Sequence, residues 1–257
     1  MKHIKKKFLN ERPISDEMFK KLKKVEHPYD GNAHKLKVIP KKQTPFIVRG
    51  EEERVIQSFT YKRGKKQFFI PEPDQVLIYF DHAYNHYRVI KEEKEKLLAK
   101  CNPSDSLTES VENELFKFFG ITSACTIFLF MSLEAFVNRL VPTSYKHVIE
   151  RNDKTEVYDC YQIQRLKFGI KCTDIIPRIV GKDYSKDFSN KYDRLINLKD
   201  FRNDLVHAKL IDGQLSYAGI SKRALKFDFD NAISAVVDYM NYHVDGYVMD
   251  CECGADY

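Results

Sequence analysis

The chain has 257 residues, of which 43% are hydrophobic and 31% are charged, and its formal net charge is +6. This composition is ordinary for a soluble globular protein, and the length allows one large domain or two modest ones. The six cysteines have no framework spacing, and no apolar run follows the early lysines, which argues against a disulfide scaffold and a secretory signal peptide. We therefore expect a reduced, cytoplasmic protein.

Positive charge is concentrated in the N-terminal part of the chain. Residues 1–70 contain 19 Lys and Arg against 8 Asp and Glu, whereas the remaining residues contain 24 against 29. The excess of positive charge therefore belongs to the first segment alone. Such a segment favours phosphate-rich or acidic partners without being specific for any of them.

Residues 1–73 are predicted to form a basic arm with short strands. An amphipathic helix is expected at 14–25, and β-branched and aromatic residues predict strands at 46–48, 55–61 and 67–70. The last two strands are joined by a tip with four positive charges, Lys62, Arg63, Lys65 and Lys66. This tip is either a solvated turn or a hairpin that contacts phosphate.

The segment 74–250 is predicted to form a helical bundle. Asp74 is expected to cap a first helix that runs to Lys100. His82 and His86 lie four residues apart on this helix, as metal ligands do, but no further ligand is evident in the sequence nearby. We interpret them as surface histidines.

A second helix is predicted from a capping box at Ser106-Leu107-Thr108-Glu109 to Leu140. Its segment 119–137 is apolar enough to suggest a membrane span. Glu134 and several hydroxyl residues interrupt that segment, so we predict a buried helix of a bundle instead. Glu134 then lies either on an exposed edge or in the interior, where it needs a positively charged partner.

Residues 143–189 are less regular than their neighbours. Short helices are predicted at 158–170 and 174–180, and we expect no chemistry from this segment.

The stretch 190–209 contains no Gly or Pro and predicts a helix. Its apolar residues recur at helical spacing and share one face: Leu195, Leu198, Phe201 and Leu205. Arg202 falls on the edge of this face, and because a guanidinium keeps its proton, Arg202 needs a partner or a functional cleft. Asn203 and His207 are four residues apart on the adjoining flank, with Lys199 one turn earlier.

The remaining chain is predicted to contain a small hairpin and a last helix. Asp212-Gly213 indicates a hairpin within 209–217, and Asp230 is expected to cap a helix through Val248. Residues 251–257 form an acidic tail. Cys251 and Cys253 would supply half a zinc site, but no second cysteine pair exists, so no metal is expected.

The motif Arg202-Asn203-Asp204-Leu205-Val206-His207 resembles the Arg-polar-x3-His signature of HEPN domains. The preceding helix with Glu134 and the helix that follows the motif strengthen the resemblance, which covers roughly residues 75–250. It implies a mainly α fold, a HEPN-like helical bundle preceded by a small, basic, β-containing region. Many members of this family are dimeric, metal-independent ribonucleases of toxin or antiviral defence systems.

The resemblance also implies an RNA substrate, a homodimer, no cofactor, and an antitoxin or defence-system protein as a further partner. The catalytic residues that it implies are Arg202, Asn203, His207 and Glu134. The residues expected to bind RNA are Lys199, Lys209, Lys62, Arg63, Lys65 and Lys66.

Metal-independent RNA cleavage requires a base for the 2′-hydroxyl, an acid for the leaving 5′-oxygen, and positive charge at the phosphate. His207 suits acid–base catalysis near neutral pH, Arg202 suits two-point contact with phosphate, and Asn203 suits orientation of the histidine or the substrate. We predict an ion pair between Glu134 and Arg202. Two alternatives remain: a non-catalytic HEPN-like nucleotide-binding, RNA-binding or dimerisation module, and a helical protein in which Arg202 and His207 are structural.

Overall fold

A computed structural model describes residues 46–49, 54–101, 108–151, 154–207, 210–211, 214–215 and 217–248. The predicted helix at 14–25, Ser106 of the predicted capping box, Lys209, and the tail with Cys251 and Cys253 lie outside these residues. The described chain is mostly helical, with a small strand region towards its N-terminal end. The chain divides into two compact units. The N-terminal unit ends at Leu77, and the second unit continues from Ile78.

The N-terminal unit contains a three-stranded antiparallel sheet in the order β1-β2-β3. Its strands are β1 (Phe46–Arg49), β2 (Arg54–Arg63) and β3 (Lys66–Pro71), which confirms the three predicted strands. The loop between β2 and β3 has two residues, and its first, Gly64, has φ +61°. Glycine adopts this left-handed conformation without the steric cost that other residues incur, so the tight hairpin forms here.

Two long helices follow, as predicted. Helix α1 is Gln75–Lys100, and the Asp74 Oδ1 atom accepts a hydrogen bond from the Val76 amide at 3.0 Å, which confirms the cap. Helix α2 is Glu109–Arg139. Thr108 precedes its first turn, and its side chain makes no capping hydrogen bond.

Helix α2 is the one helix among the described residues that is long and apolar enough to cross a membrane. Half of its most apolar window is buried inside the structure, and core helices of soluble proteins pass the same test. Its buried face carries Phe118, Cys125, Leu129, Leu133 and Val137. This burial agrees with the predicted role as a bundle helix.

The segment after α2 agrees with the prediction in part. A hairpin of β4 (His147–Arg151) and β5 (Lys154–Tyr158) was not predicted. The short helices predicted within 158–170 and 174–180 are confirmed, and the helical pieces in order are α3 (Cys160–Gln164), α4 (Phe168–Ile170), a π-helical turn (Lys171–Ile175), α5 (Ile176–Val180) and α6 (Tyr184–Asp187).

The predicted motif helix is confirmed as α7 (Ser189–Val206). It is followed by the predicted small hairpin, β6 (Leu210–Ile211) and β7 (Gln214–Leu215), and by an unpredicted helix, α8 (Ala218–Lys226). The last helix, α9, spans Phe229–His243 and is shorter than predicted. Its N-cap is Asp228, not Asp230, because the Asp228 carboxylate accepts the Asn231 amide at 3.0 Å.

Helix α7 packs against α2 and α9 within the second unit. Leu195, Leu198 and Phe201 of α7 are fully buried, as their spacing predicted. Phe201 belongs to a core cluster with Phe118 and Cys125 of α2. This packing fixes the rotation of α7 and thereby the position of Arg202 beside its buried face.

Candidate functional site

Arg202 lies at the edge of the interface between α7 and α2. It is half-buried, and its Cζ atom lies 5.5 Å from the centroid of the Phe130 ring. Phe130 is itself buried and is on the face of α2 that carries Glu134 one turn later. Stacking of the planar guanidinium on the ring holds it in place without neutralising its charge.

The polar contacts of Arg202 leave most of its donors free within the described chain. Its Nη1 atom donates to the Asn203 Oδ1 atom at 3.2 Å, whereas its buried Nε atom has no hydrogen-bond partner. Among the described residues, no carboxylate forms an ion pair with Arg202. A guanidinium offers five N–H donors, so this site retains both charge and donors for an external anion.

His207 follows α7 directly and is exposed. Its backbone amide donates to the Asn203 carbonyl oxygen at 2.9 Å, which completes the last helical turn. The imidazole is therefore presented at the end of a well-packed helix and is open to a substrate. The Asn203 side chain hydrogen-bonds to Arg202 and not to the His207 ring.

The predicted ion pair between Glu134 and Arg202 is wrong. Glu134 instead faces Lys171 in the π-helical turn, with 3.7 Å between the Glu134 Oε1 and Lys171 Nζ atoms. Lys171 contacts α2 at Glu134 and Asn138, whereas Arg202 lies over Phe130, one turn earlier on the same face of α2. The carboxylate is thus paired with a different cation, and Arg202 has no carboxylate partner among the described residues.

Lys171 is a buried charged residue that sequence reasoning missed. Its side chain is fully buried, and its Nζ atom donates to the Asn138 Oδ1 atom at 2.7 Å and the Gln164 carbonyl oxygen at 3.1 Å. Burial lowers the pKa of Lys171, and the neighbouring Glu134 carboxylate partly opposes that shift. The sequence feature that could have indicated its burial is its position among apolar residues: Ile170, Cys172, Ile175 and Ile176.

The lysines and arginine predicted to bind RNA have different surroundings. Lys199 forms an ion pair with Asp200, with 3.0 Å between the Lys199 Nζ and Asp200 Oδ1 atoms. The four cations at the hairpin tip belong to the N-terminal unit, and all are exposed: Lys62, Arg63, Lys65 and Lys66.

Within the described ranges, no group of three or more His, Cys, Asp and Glu side chains has an arrangement that could hold a metal ion. A guanidinium with no carboxylate partner among the described residues and an exposed imidazole five positions later in the same motif suit binding of a phosphate and transfer of a proton.

Comparison with protein-family models, with characterised proteins and with solved structures finds no match to this chain.

Proposed function

We propose that this protein is a metal-independent endoribonuclease of the HEPN type. The observation that carries the proposal is the guanidinium of Arg202, which has no carboxylate partner in the described ranges and lies in the same motif as the exposed His207. The HEPN-like nature of the helical bundle is part of the proposal. It is supported by the motif and by the position of the motif at the C-terminal end of a buried helix.

In the proposed reaction, a base removes the proton from the ribose 2′-hydroxyl, and the 2′-oxygen attacks the adjacent phosphorus. The bond from phosphorus to the 5′-oxygen then breaks, and an acid protonates that oxygen. The products are a 2′,3′-cyclic phosphate and a 5′-hydroxyl. His207 takes one of the two proton-transfer roles, while Arg202 binds the non-bridging oxygens as negative charge develops on them.

A composite site between two copies of the chain supplies the second proton-transfer group. One motif contains one histidine, whereas acid–base cleavage ideally uses two groups. Two α7 helices related by a two-fold axis would bring both His207 side chains to one phosphate. Asn203 positions Arg202 in this arrangement, which accords with its hydrogen bond to Nη1.

Glu134 belongs to the proposed site as a residue of the neighbouring α2 face, and Lys171 balances its charge. Lys199 and Lys209 of the motif stretch, together with the basic hairpin tip, supply general attraction for RNA. The biological setting that fits such an activity is a cytoplasmic toxin or antiviral defence system. An antitoxin or a second defence protein would then control the nuclease.

The proposal is tested by incubating the purified protein with total RNA in excess EDTA. We expect RNA fragments whose 3′ ends carry a 2′,3′-cyclic phosphate by mass spectrometry. Intact RNA under these conditions, or cleavage that requires a divalent cation, would contradict the proposal.

One observation favours a second function, a non-catalytic HEPN-like module for nucleotide or RNA binding or for dimerisation. The Asn203 side chain contacts Arg202 and not the His207 ring, so no side-chain partner orients the imidazole within the described residues. This alternative predicts that RNA binds at Arg202 but is recovered intact.

A further inference from the structure

The hairpin of β2 and β3 has one face that combines exposed aromatic rings with positive charge. Residues directly opposite each other in the register point to the same side, so Phe59, Tyr61 and Arg63 share a face with Ile70, Phe68 and Lys66. The aromatic side chains of this face retain large exposed fractions: 45% for Phe59, 52% for Tyr61 and 43% for Phe68. We name these three side chains the aromatic face.

The opposite side of the hairpin differs in its side chains. Ser58 on that side is fully buried, whereas the polar Thr60, Lys62 and Gln67 are exposed. Among the described side chains of the hairpin, the exposed rings therefore lie on the aromatic face. Large exposed rings at alternating positions of one surface are unusual unless they contact a partner.

Two of the three rings of the aromatic face, Tyr61 and Phe68, lie side by side. The centroids of the Tyr61 and Phe68 rings are 6.4 Å apart, and the rings are tilted by 34°. Both ring surfaces are wide enough for a planar base. Stacking of bases on such rings tolerates any sequence because every base has a π face.

The hairpin tip adds the charge that a nucleic acid backbone requires. Its exposed cations are Lys62, Arg63, Lys65 and Lys66. Within the described part of the chain, none of these four side chains forms an ion pair with a carboxylate. Rings flanked by unpaired cations are complementary to a strand whose bases are unpaired and whose phosphates are negatively charged.

We propose that the β2–β3 hairpin binds single-stranded RNA, with Tyr61 and Phe68 stacking on unpaired bases and the cationic tip contacting phosphates. This inference rests on the proposed function for the identity of the nucleic acid, and it specifies the substrate class as unpaired RNA. The bases of a duplex cannot stack on the aromatic face, because they are already stacked on each other.

The test measures equilibrium binding of the full-length protein to a fluorescent, 2′-O-methyl RNA 20-mer of mixed sequence by anisotropy. The 2′-O-methyl group prevents attack by the 2′-oxygen, so binding is measured independently of cleavage. The same strand in a duplex serves as the second ligand. Variants are Tyr61→Leu/Phe68→Leu on the aromatic face and Lys65→Gln/Lys66→Gln at the tip, with Tyr161→Leu as the matched control because Tyr161 is an exposed tyrosine of α3.

We expect the aromatic variant to bind the single strand about 10-fold to 100-fold more weakly, with an unchanged salt dependence and unchanged duplex binding. The tip variant should reduce the slope of log K against log salt by about 1.4, since each lost phosphate contact removes about 0.7. The Tyr161→Leu control should bind like the wild type. Circular dichroism confirms that each variant keeps its fold.

Wild-type affinity of the aromatic variant would overturn the proposal, and so would an equal loss on the single strand and the duplex. The two proposals fail separately. If hairpin-dependent binding is found but RNA is never cleaved, the nuclease proposal fails and this inference stands. If RNA is cleaved but binding ignores the aromatic face, this inference alone fails.

Discussion

Arg202 stacks on Phe130 and hydrogen-bonds only to Asn203 within the described chain, so its charge is available to a ligand. A lysine at this position would keep a positive charge but lose the planar, two-point donor geometry. We expect Arg202→Lys to lower RNA cleavage by about 10-fold to 1,000-fold, the range seen when a transition-state donor is lost. The measurement is the initial rate of cleavage at saturating RNA.

The matched control for this prediction is Arg178→Lys, because Arg178 is exposed and pairs only with Asp174 through its Nε atom at 2.6 Å. That variant should cleave RNA at the wild-type rate. Full activity of Arg202→Lys would leave general positive charge as the only role of Arg202.

The pair of Glu134 and Lys171 makes a separate prediction about stability. Glu134→Ala removes the carboxylate that faces the buried Lys171 ammonium. Removing one partner of a fully buried ion pair lowers the free energy of unfolding by about 3–5 kcal/mol, which is the upper limit here. Partial exposure of Glu134 and the other two hydrogen bonds of Lys171 move the expected loss towards about 2 kcal/mol. Urea unfolding measures the loss.

A double-mutant cycle identifies the partner of Glu134. In a Lys171→Met background, Glu134→Ala should cost less than about 1 kcal/mol, because no buried ammonium remains. In an Arg202→Ala background, the cost of Glu134→Ala should be unchanged. Strong coupling to Arg202 and none to Lys171 would contradict the observed pairing.

His243 makes stability depend on pH. It lies near the end of α9 between Tyr239 and Tyr242, and neither ring nitrogen has a hydrogen-bond partner among the described residues. Burial lowers the pKa of His243 from 6.5 to about 4, and nearby Lys182 adds to this shift. The unfolded chain therefore binds a proton more readily than the folded chain between these two pH values.

Because the folded-state pKa is lowered, the stabilising contribution is complete above pH 6.5 and is lost as the pH falls towards about 4. The loss should reach up to about 3 kcal/mol for a shift of this size. Urea unfolding from pH 7 to 4 should show a decline that is shallower in His243→Phe. An identical decline in that variant would exclude His243 as its cause.

At the scale of secondary structure, the longest elements were the most predictable from sequence. Leu195, Leu198 and Phe201 can be buried together only on one face of a helix, so the sequence alone predicts a helix within residues 190–209. The hairpin of β4 and β5 was missed because its strands are short and polar, and Val148 and Val157 are about half exposed. Helix α8 was missed because it has nine residues and contains Gly219.

The same difference in pattern explains which parts of the site could be predicted. Arg202 is conspicuous in sequence because it interrupts an otherwise regular apolar face. The absence of the predicted ion pair between Arg202 and Glu134 depends on Lys171, which lies in a π-helical turn with no helical periodicity to reveal it. Pro177 lies in the first turn of α5, next to the π-helical turn, and has no N–H to donate, so one hydrogen bond of the regular α-helical ladder is missing there. The identity of the partner of Glu134 therefore required the tertiary structure.

At the scale of the whole molecule, the proposed composite site would make activity depend on association of two chains. One chain provides one copy of the motif, so dilution below the dimer dissociation constant should lower the specific activity. We expect the concentration at half-maximal specific activity to match the dissociation constant from analytical ultracentrifugation. Constant specific activity for a protein that sediments as a monomer would show that one chain suffices.

The central claim is that His207 transfers a proton during RNA cleavage, and one comparison of variants tests it most directly. Cleavage of one RNA in EDTA is measured for the wild type, His207→Ala and His82→Ala, where His82 is an exposed histidine of α1 that stacks on Phe128. We predict that His207→Ala loses about two to four orders of magnitude in rate at unchanged stability, while His82→Ala retains the wild-type rate. Wild-type cleavage by a folded His207→Ala protein would contradict the claim.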